Sequence, residues 1–283
     1  MTLMSEKDKR KKRPIVTAII VSITVLVIIF MAPFTRSLVI MSASNLYNSR
    51  ESIVAKEDID IEIPIDRKNW YPLMLNFNAK ESFSYWTKED ISLDIYYNFA
   101  SFDLLEGFSR VYDPDSPYYS SFYGAYLVQR KDGRPYGFDP NDTSVINVEE
   151  VERVARFDST LLVLGDLGIT KNQLVFDAKV EKIIEDVEYA GSYGWSRVDS
   201  VMLTNGMLHH QKEKTPLSYL QIGSPSKALS RDHEDFSPIE MYGIVIGKWF
   251  PEYRCSIFFY IMSPSKEVCE NWLDWCKPTI SDK

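Results

Sequence analysis

The pattern of hydrophobic and polar positions divides the chain into an unbroken apolar run and a long patterned remainder. From Ile15 to Phe34 there is no charged residue, and only Thr17, Ser22 and Thr24 interrupt the apolar side chains. Twenty residues at about 1.5 Å rise make about 30 Å of helix, the thickness of a bilayer's hydrocarbon core. A cleaved signal peptide carries a shorter apolar stretch, of about 7 to 15 residues, ahead of a small-residue site. Here the only such site is the poor Ser42-Ala43-Ser44. The run reads as a signal-anchor transmembrane helix.

Beyond it the period changes. DIDIEIPID places Ile59, Ile61, Ile63 and Ile65 on one side and acids on the other, a half-buried strand that Pro64 assigns to a sheet edge. YPLMLNFN, with Leu73, Leu75 and Phe77, and ISLDIYYNF, with Leu93, Ile95, Tyr97 and Phe99, repeat the alternation. FDLLEGFSR reads as a short helix at best. SFYGAYLVQR is a strand entering a turn at Asp132-Gly133, with Phe122 and Gly124 on one face and Tyr123 and Ala125 on the other.

VEEVERVARF spaces Val148, Val151, Val154 and Ala155 as one face of a helix, behind an Asn147–Glu150 capping box. Thr170–Gln173 looks like a second capping box, and LVFDAKVEKIIEDV after it reads as helix. YGWSRVDSVML and MYGIVIGKWF read as strands. LSYLQIGSPSKALSRD and SIFFYIMSPSKEVCEN both read strand, SPSK, helix, with serine as N-cap and proline at the first helical position. The expected class is α+β: a transmembrane helix, then a mostly antiparallel sheet with helices on one face. The expected divisions are a basic tail (1–14), the span (15–34), a juxtamembrane segment (35–57) and an extracytoplasmic domain (58–283).

Charge orients this arrangement. Lys7, Lys9, Arg10, Lys11, Lys12 and Arg13 precede the span, whereas Arg36 and Arg50 alone follow it closely, so the N-terminus is expected in the cytoplasm. Of the chain's 32 basic and 40 acidic residues, six and two precede the span; the remainder holds 26 and 38, a net charge of −12. An acidic domain repels phosphate backbones and anionic lipid heads, so nucleic acid is not an expected partner, and the charge either favours cationic partners or simply keeps the domain soluble. Ala18 and Ser22, small residues four apart, allow a homodimer through the membrane.

The three cysteines cannot all pair. Cys269 and Cys276 lie seven apart in an expected helix, beyond disulfide reach, so any bridge uses Cys255, with burial of all three as the alternative.

Candidate chemistry is sparse. The SPSK copies formally match the S-x-x-K of penicillin-recognising enzymes, but no Ser-Asp-Asn or Lys-Thr-Gly follows, and helix capping explains them. His209, His233 and Glu234 form a zinc-type set, although Ser237 stands where a His-Glu-x-x-His motif needs its second histidine, and the adjacent His209 and His210 point apart in a strand. Asp139, Asn141, Thr143 and Glu150 fit positions one, three, five and twelve of a calcium loop, with Ser144 replacing the turn glycine. Tyr118 and Tyr119 follow two prolines and are the expected exposed members of a tyrosine cluster that can bind a partner.

These readings lead to a membrane-anchored, extracytoplasmic protein that binds, assembles or inhibits another component of the cell envelope, without a cofactor. The rival is an anchored hydrolase or metal-dependent enzyme using His209, His210, His233 and nearby carboxylates such as Asp232, Glu234 and Asp235.

Overall fold

The structure is a computed structural model that describes residues 6–31, 42–43, 45–65, 74–99, 102–103, 108–165, 169–206 and 236–282. Its elements in chain order are α1 (Glu6–Met31), α2 (Ile53–Lys56), β1 (Ile59–Glu62), β2 (Leu75–Asn78), α3 (Lys80–Thr87), β3 (Ile91–Phe99), β4 (Phe102–Asp103), β5 (Phe108–Ser109), β6 (Phe122–Arg130), α4 (Val148–Phe157), β7 (Phe176–Tyr189), β8 (Ser192–Asn205), β9 (Pro238–Phe250), β10 (Cys255–Ser263), α5 (Lys266–Trp275) and β11 (Thr279–Asp282). The class is α+β. Seven strands form one sheet in the order β2-β3-β6-β10-β9-β8-β7, and β1-β11 and β4-β5 form two small ladders. Every described pairing is antiparallel.

Strand β10 explains why the sheet is covered on both sides, where helices on a single face are expected from the sequence. All nine of its residues are buried. Phe258, Tyr260 and Met262 join α3 and α4 in a first core, with Leu93, Ile95, Tyr126 and Phe157. Ile257, Phe259 and Ile261 face the other way, into a second core with Ile53 of α2, Ile63, and Cys269 and Trp272 of α5. An apolar run without alternation is the pattern of a strand buried on two faces.

Several expected elements are present. Strand β1 buries Ile59, Ile63 just beyond it is also buried, and among the described residues β1 pairs only with β11, which fits the edge position inferred from Pro64. Strand β6 divides its side chains as expected, Phe122 and Tyr126 into the first core and Tyr123 and Ala125 into the second. Gly133, at φ 74°, closes its turn with an N–H donated to the Arg130 carbonyl. Helix α4 buries Val151, Val154 and Phe157.

Others differ. The segment read as helix after Thr170 is strand β7. Phe176, Ala178 and Val180 alternate against the first core, and a sheet edge with bulges near Val180 and Val187 accommodates the charged residues between them. Thr170 and Gln173 pair their side chains at 2.6 Å around a turn that no helix follows. FDLLEGFSR contributes the β4 and β5 strands of a small ladder and no described helix. In the second SPSK copy the N-cap is Ser265, whose hydroxyl accepts from Val268 N at 3.4 Å. Ser263 remains in β10, where its hydroxyl meets that of Ser121 at 2.7 Å. The first copy lies outside the described residues.

Residues 45–57, expected as a juxtamembrane segment, pack on the domain. Asn45 Oδ1 accepts from Asn76 N at 2.7 Å, Asn78 Nδ2 donates to the Glu51 carbonyl at 3.2 Å, and Ile53 is buried. Among the described residues no helix is long and apolar enough to cross a membrane. The expected spanning helix is thus not supported among these residues.

Candidate functional site

Helix α4 lies over the end of the sheet formed by β7, β8 and β9, and a crevice runs between them. Arg156 ties the helix to the edge strand: one Nη donates to the Phe176 carbonyl at 2.9 Å, the other to Glu152 at 2.7 Å, and the guanidinium sits 4.7 Å from the Phe176 ring centre. Val148, Val151 and Ala155 of α4 face Phe176, Ala178, Val180, Val198 and Met202 across a cavity of about 60 Å³. Gly243 on β9 keeps this space open, since a Cβ there would come 2.7 Å from Met202 Cε.

At its inner end the helix changes period. Residues Asp158–Leu164 form a π turn, and Thr160 donates its hydroxyl to the Arg156 carbonyl at 2.6 Å. Such turns open the helical ladder and are frequent where a side chain is re-aimed for function. The π turn begins at Asp158, which follows Val151 and Val154 at helical spacing and is therefore carried into the core. One oxygen, Oδ2, accepts from Tyr126 Oη at 2.8 Å and from Tyr260 Oη at 3.4 Å. The two phenol rings stack with centres 4.2 Å apart, and Gly124, opposite Tyr260 on β6, adds no side chain against it.

The other oxygen, Oδ1, is buried without a hydrogen-bond partner among the described residues, as is Thr204 Oγ1. Asp158 and Thr204 line a second, smaller cavity of about 20 Å³, with Leu164, Met241, Tyr260 and Met262. Tyr260 and Met262 also line the crevice, so the two spaces share a wall. Burial pushes the Asp158 carboxyl up to about 6, and the tyrosine hydroxyls pull it partly back. Burial, with the Asp158 charge beside it, pushes the Tyr126 phenol well above its ordinary range. The arrangement is a carboxyl poised to ionise near neutrality in an apolar wall, with one oxygen held by hydroxyls and one open.

The residues expected from the sequence are placed elsewhere. His209, His210, His233 and Glu234 lie outside the described residues. Among the described residues no group of three or more His, Cys, Asp or Glu could hold a metal ion. In the calcium-like loop, Asp139 Oδ1 accepts from Asn141 N at 2.7 Å, and Asn141 and Thr143 are exposed. Glu150 instead accepts from Gly137 N at 2.5 Å and pairs with Arg130, which also pairs with Glu89. It therefore does not complete the expected capping box, although Asn147 caps the helix by accepting from Glu150 N.

Tyr118 and Tyr119, expected to be exposed, are half-buried: Tyr118 packs on the second core, and a Cβ on Gly206 would lie 2.7 Å from Tyr119 Oη. The three cysteines are free and buried, the alternative to a bridge.

Sequence reasoning missed Asp158, Thr204 and Tyr260, and placed Tyr126 only within the tyrosine cluster. A signal was present: Asp158 continues the Val151–Val154 face, and Thr204 continues the Val198–Met202 alternation, each a polar residue on an apolar stripe. No protein-family model, no curated protein and no solved structure matches the chain.

Proposed function

We propose that the chain is a single-pass membrane protein with a cytoplasmic N-terminus, and that its α+β domain, outside the membrane, is a binding domain of the cell envelope. The observation that carries this reading is the surface of α1. Every large apolar residue described from Ile15 to Ile28 is between 48% and 63% exposed, and none belongs to either core. An apolar helix that finds no partner among the described residues is stable where its surroundings are apolar, and the apolar sequence continues to Phe34. The six basic residues before it favour the cytoplasmic side.

Binding, rather than turnover, is supported by the crevice. It is an apolar groove beside a smaller cavity lined by a carboxylate and a hydroxyl, the composition of a recognition site with a few orienting polar groups.

Fractionation of cells carrying the full chain tests the anchor. The expected result is a chain that stays with membranes through an alkaline wash and whose C-terminal epitope is cut by protease added to the outer side of that membrane. Release by the wash, or a protected C-terminus, contradicts the proposal.

A further inference from the structure

Building on the reading of this domain as a binding domain, we propose that the crevice between α4 and β7–β9 takes a primary alkylammonium group, its charged end on Asp158 and Thr204 and its methylene stem along the apolar wall. The head-group end is defined by two buried atoms without hydrogen-bond partners, Asp158 Oδ1 and Thr204 Oγ1, on residues that line one cavity. Buried polar atoms are rarely left so, and a ligand or a water is the usual partner. An ammonium donates up to three hydrogen bonds and accepts none, and both atoms can accept.

Charge selects a cation. Besides tyrosines, Asp158 and Glu152 are the ionisable residues of the two cavity walls. Glu152 already pairs with Arg156, whose other Nη is held by the Phe176 carbonyl, so no described cation serves Asp158. An anion would meet an uncompensated carboxylate in a dry wall. The net charge of −12 beyond the N-terminal run draws cations toward the domain.

Size limits the buried end to one small group: the inner cavity is about 20 Å³, and the adjoining crevice about 60 Å³. A short methylene stem suits the side chains of Val151, Ala155, Ala178 and Val180. The same chemistry is supplied by a lysine of a partner polypeptide or by a free alkylamine.

Methionine-methyl NMR of the full chain in maltoside micelles tests this, because Met202 and Met262 line the crevice. The probe is n-butylammonium above neutral pH, with n-butanol and butyrate as comparisons. Saturable shifts of both methyls by butylammonium are expected, with affinity at least about tenfold weaker for butanol and no binding of butyrate. Asp158→Asn should weaken butylammonium by about tenfold or more, and Thr204→Val by a smaller factor. Thr204→Val is nearly isosteric and keeps the test readable if the aspartate variant does not fold.

Competition by a lysine-containing peptide at lower concentration than butylammonium assigns a polypeptide source, and its failure assigns a free amine. No saturable shift, as for a cavity holding one water, overturns the proposal, as does unchanged affinity in Asp158→Asn or equal affinity for butanol. Because the micellar protein has no sidedness, failure here is separate from failure of the membrane topology.

Discussion

One sheet, two faces: β6, β9 and β10 contribute side chains to both, yet the faces are closed differently. On the second face Tyr189, Trp195, Phe259 and Trp272 form a ring cluster with centres 5.6 to 6.3 Å apart, and three thiols fill the space around α2 and α5. On the first face α3 and α4 meet through Phe83 and Phe157, 5.0 Å apart, but a crevice is left beside β7.

Each face also buries one carboxylate, and burial pushes both up to about 6. Each leaves its Oδ1 without a partner among the described residues, but Asp94 accepts from the backbone N–H of Ile53, the first residue of α2, whereas Asp158 accepts from two phenols and lines a cavity. A backbone partner makes Asp94 part of the structure. Hydroxyl partners and open space make Asp158 a candidate for binding.

The sharpest way to break this contrast is to empty the closed face. Trp272→Ala should cost about 3 to 5 kcal/mol and abolish the cooperative melt, because the indole is fully buried. A mild loss, read by thermal unfolding, would show that the second face is not the tighter one.

Acid provides the next test. Both carboxyls titrate in the folded state near 6, above their ordinary 3.8. The folded state therefore binds more protons between these values, and stability is greatest below 3.8, is lost as pH rises through about 6, and is level above it. The loss is on the order of 3 kcal/mol per carboxyl. Urea midpoints from pH 4 to 8 read it, and Asp158→Asn should remove about half. Stability that increases from pH 4 to 6 would contradict the burial of both groups.

Substitution separates the two directly. At pH 4, where the folded state holds both carboxyls protonated, Asp94→Ala leaves the Ile53 N–H unpaired and should cost about 1 to 3 kcal/mol, whereas Asp158→Asn keeps an acceptor for Tyr126 and should change stability by less than about 1 kcal/mol. Equal losses would mean that both are structural.

The smallest effect is chemical access. Burial pushes the Cys269 and Cys276 thiols up to about 12 and the Cys255 thiol higher still, so a thiol reagent should leave all three unmodified in the folded chain. A Val180→Cys thiol on the crevice wall should react at once. Rapid labelling of a native cysteine would open the second face.

The same two faces show how much the sequence disclosed. Strands β1, β3, β6, β8 and β9 and helix α4 were legible because the apolar residues of each recur with a clear period. Strand β7 was not, since an edge strand with bulges breaks its alternation, and KVEKIIEDV satisfies a helical period as readily. The pair of cores was signalled by SIFFYIM, a run with no polar face, which only a strand covered twice can hide. The candidate site was half legible. A polar residue at a core position can be read from the spacing of Val151, Val154 and Asp158, but the meeting of Asp158 with Tyr126, Tyr260 and Thr204 joins four separate segments. The calcium-like spacing of Asp139 and Glu150 was equally visible, and there the fold spends the glutamate on Arg130.

Site-resolved carbon NMR of the Asp158 carboxyl through a pH titration tests the central claim most directly. The account predicts a midpoint near 6 in the free chain, moving downward when butylammonium is added. A midpoint at the ordinary 3.8, unmoved by the amine, would contradict it.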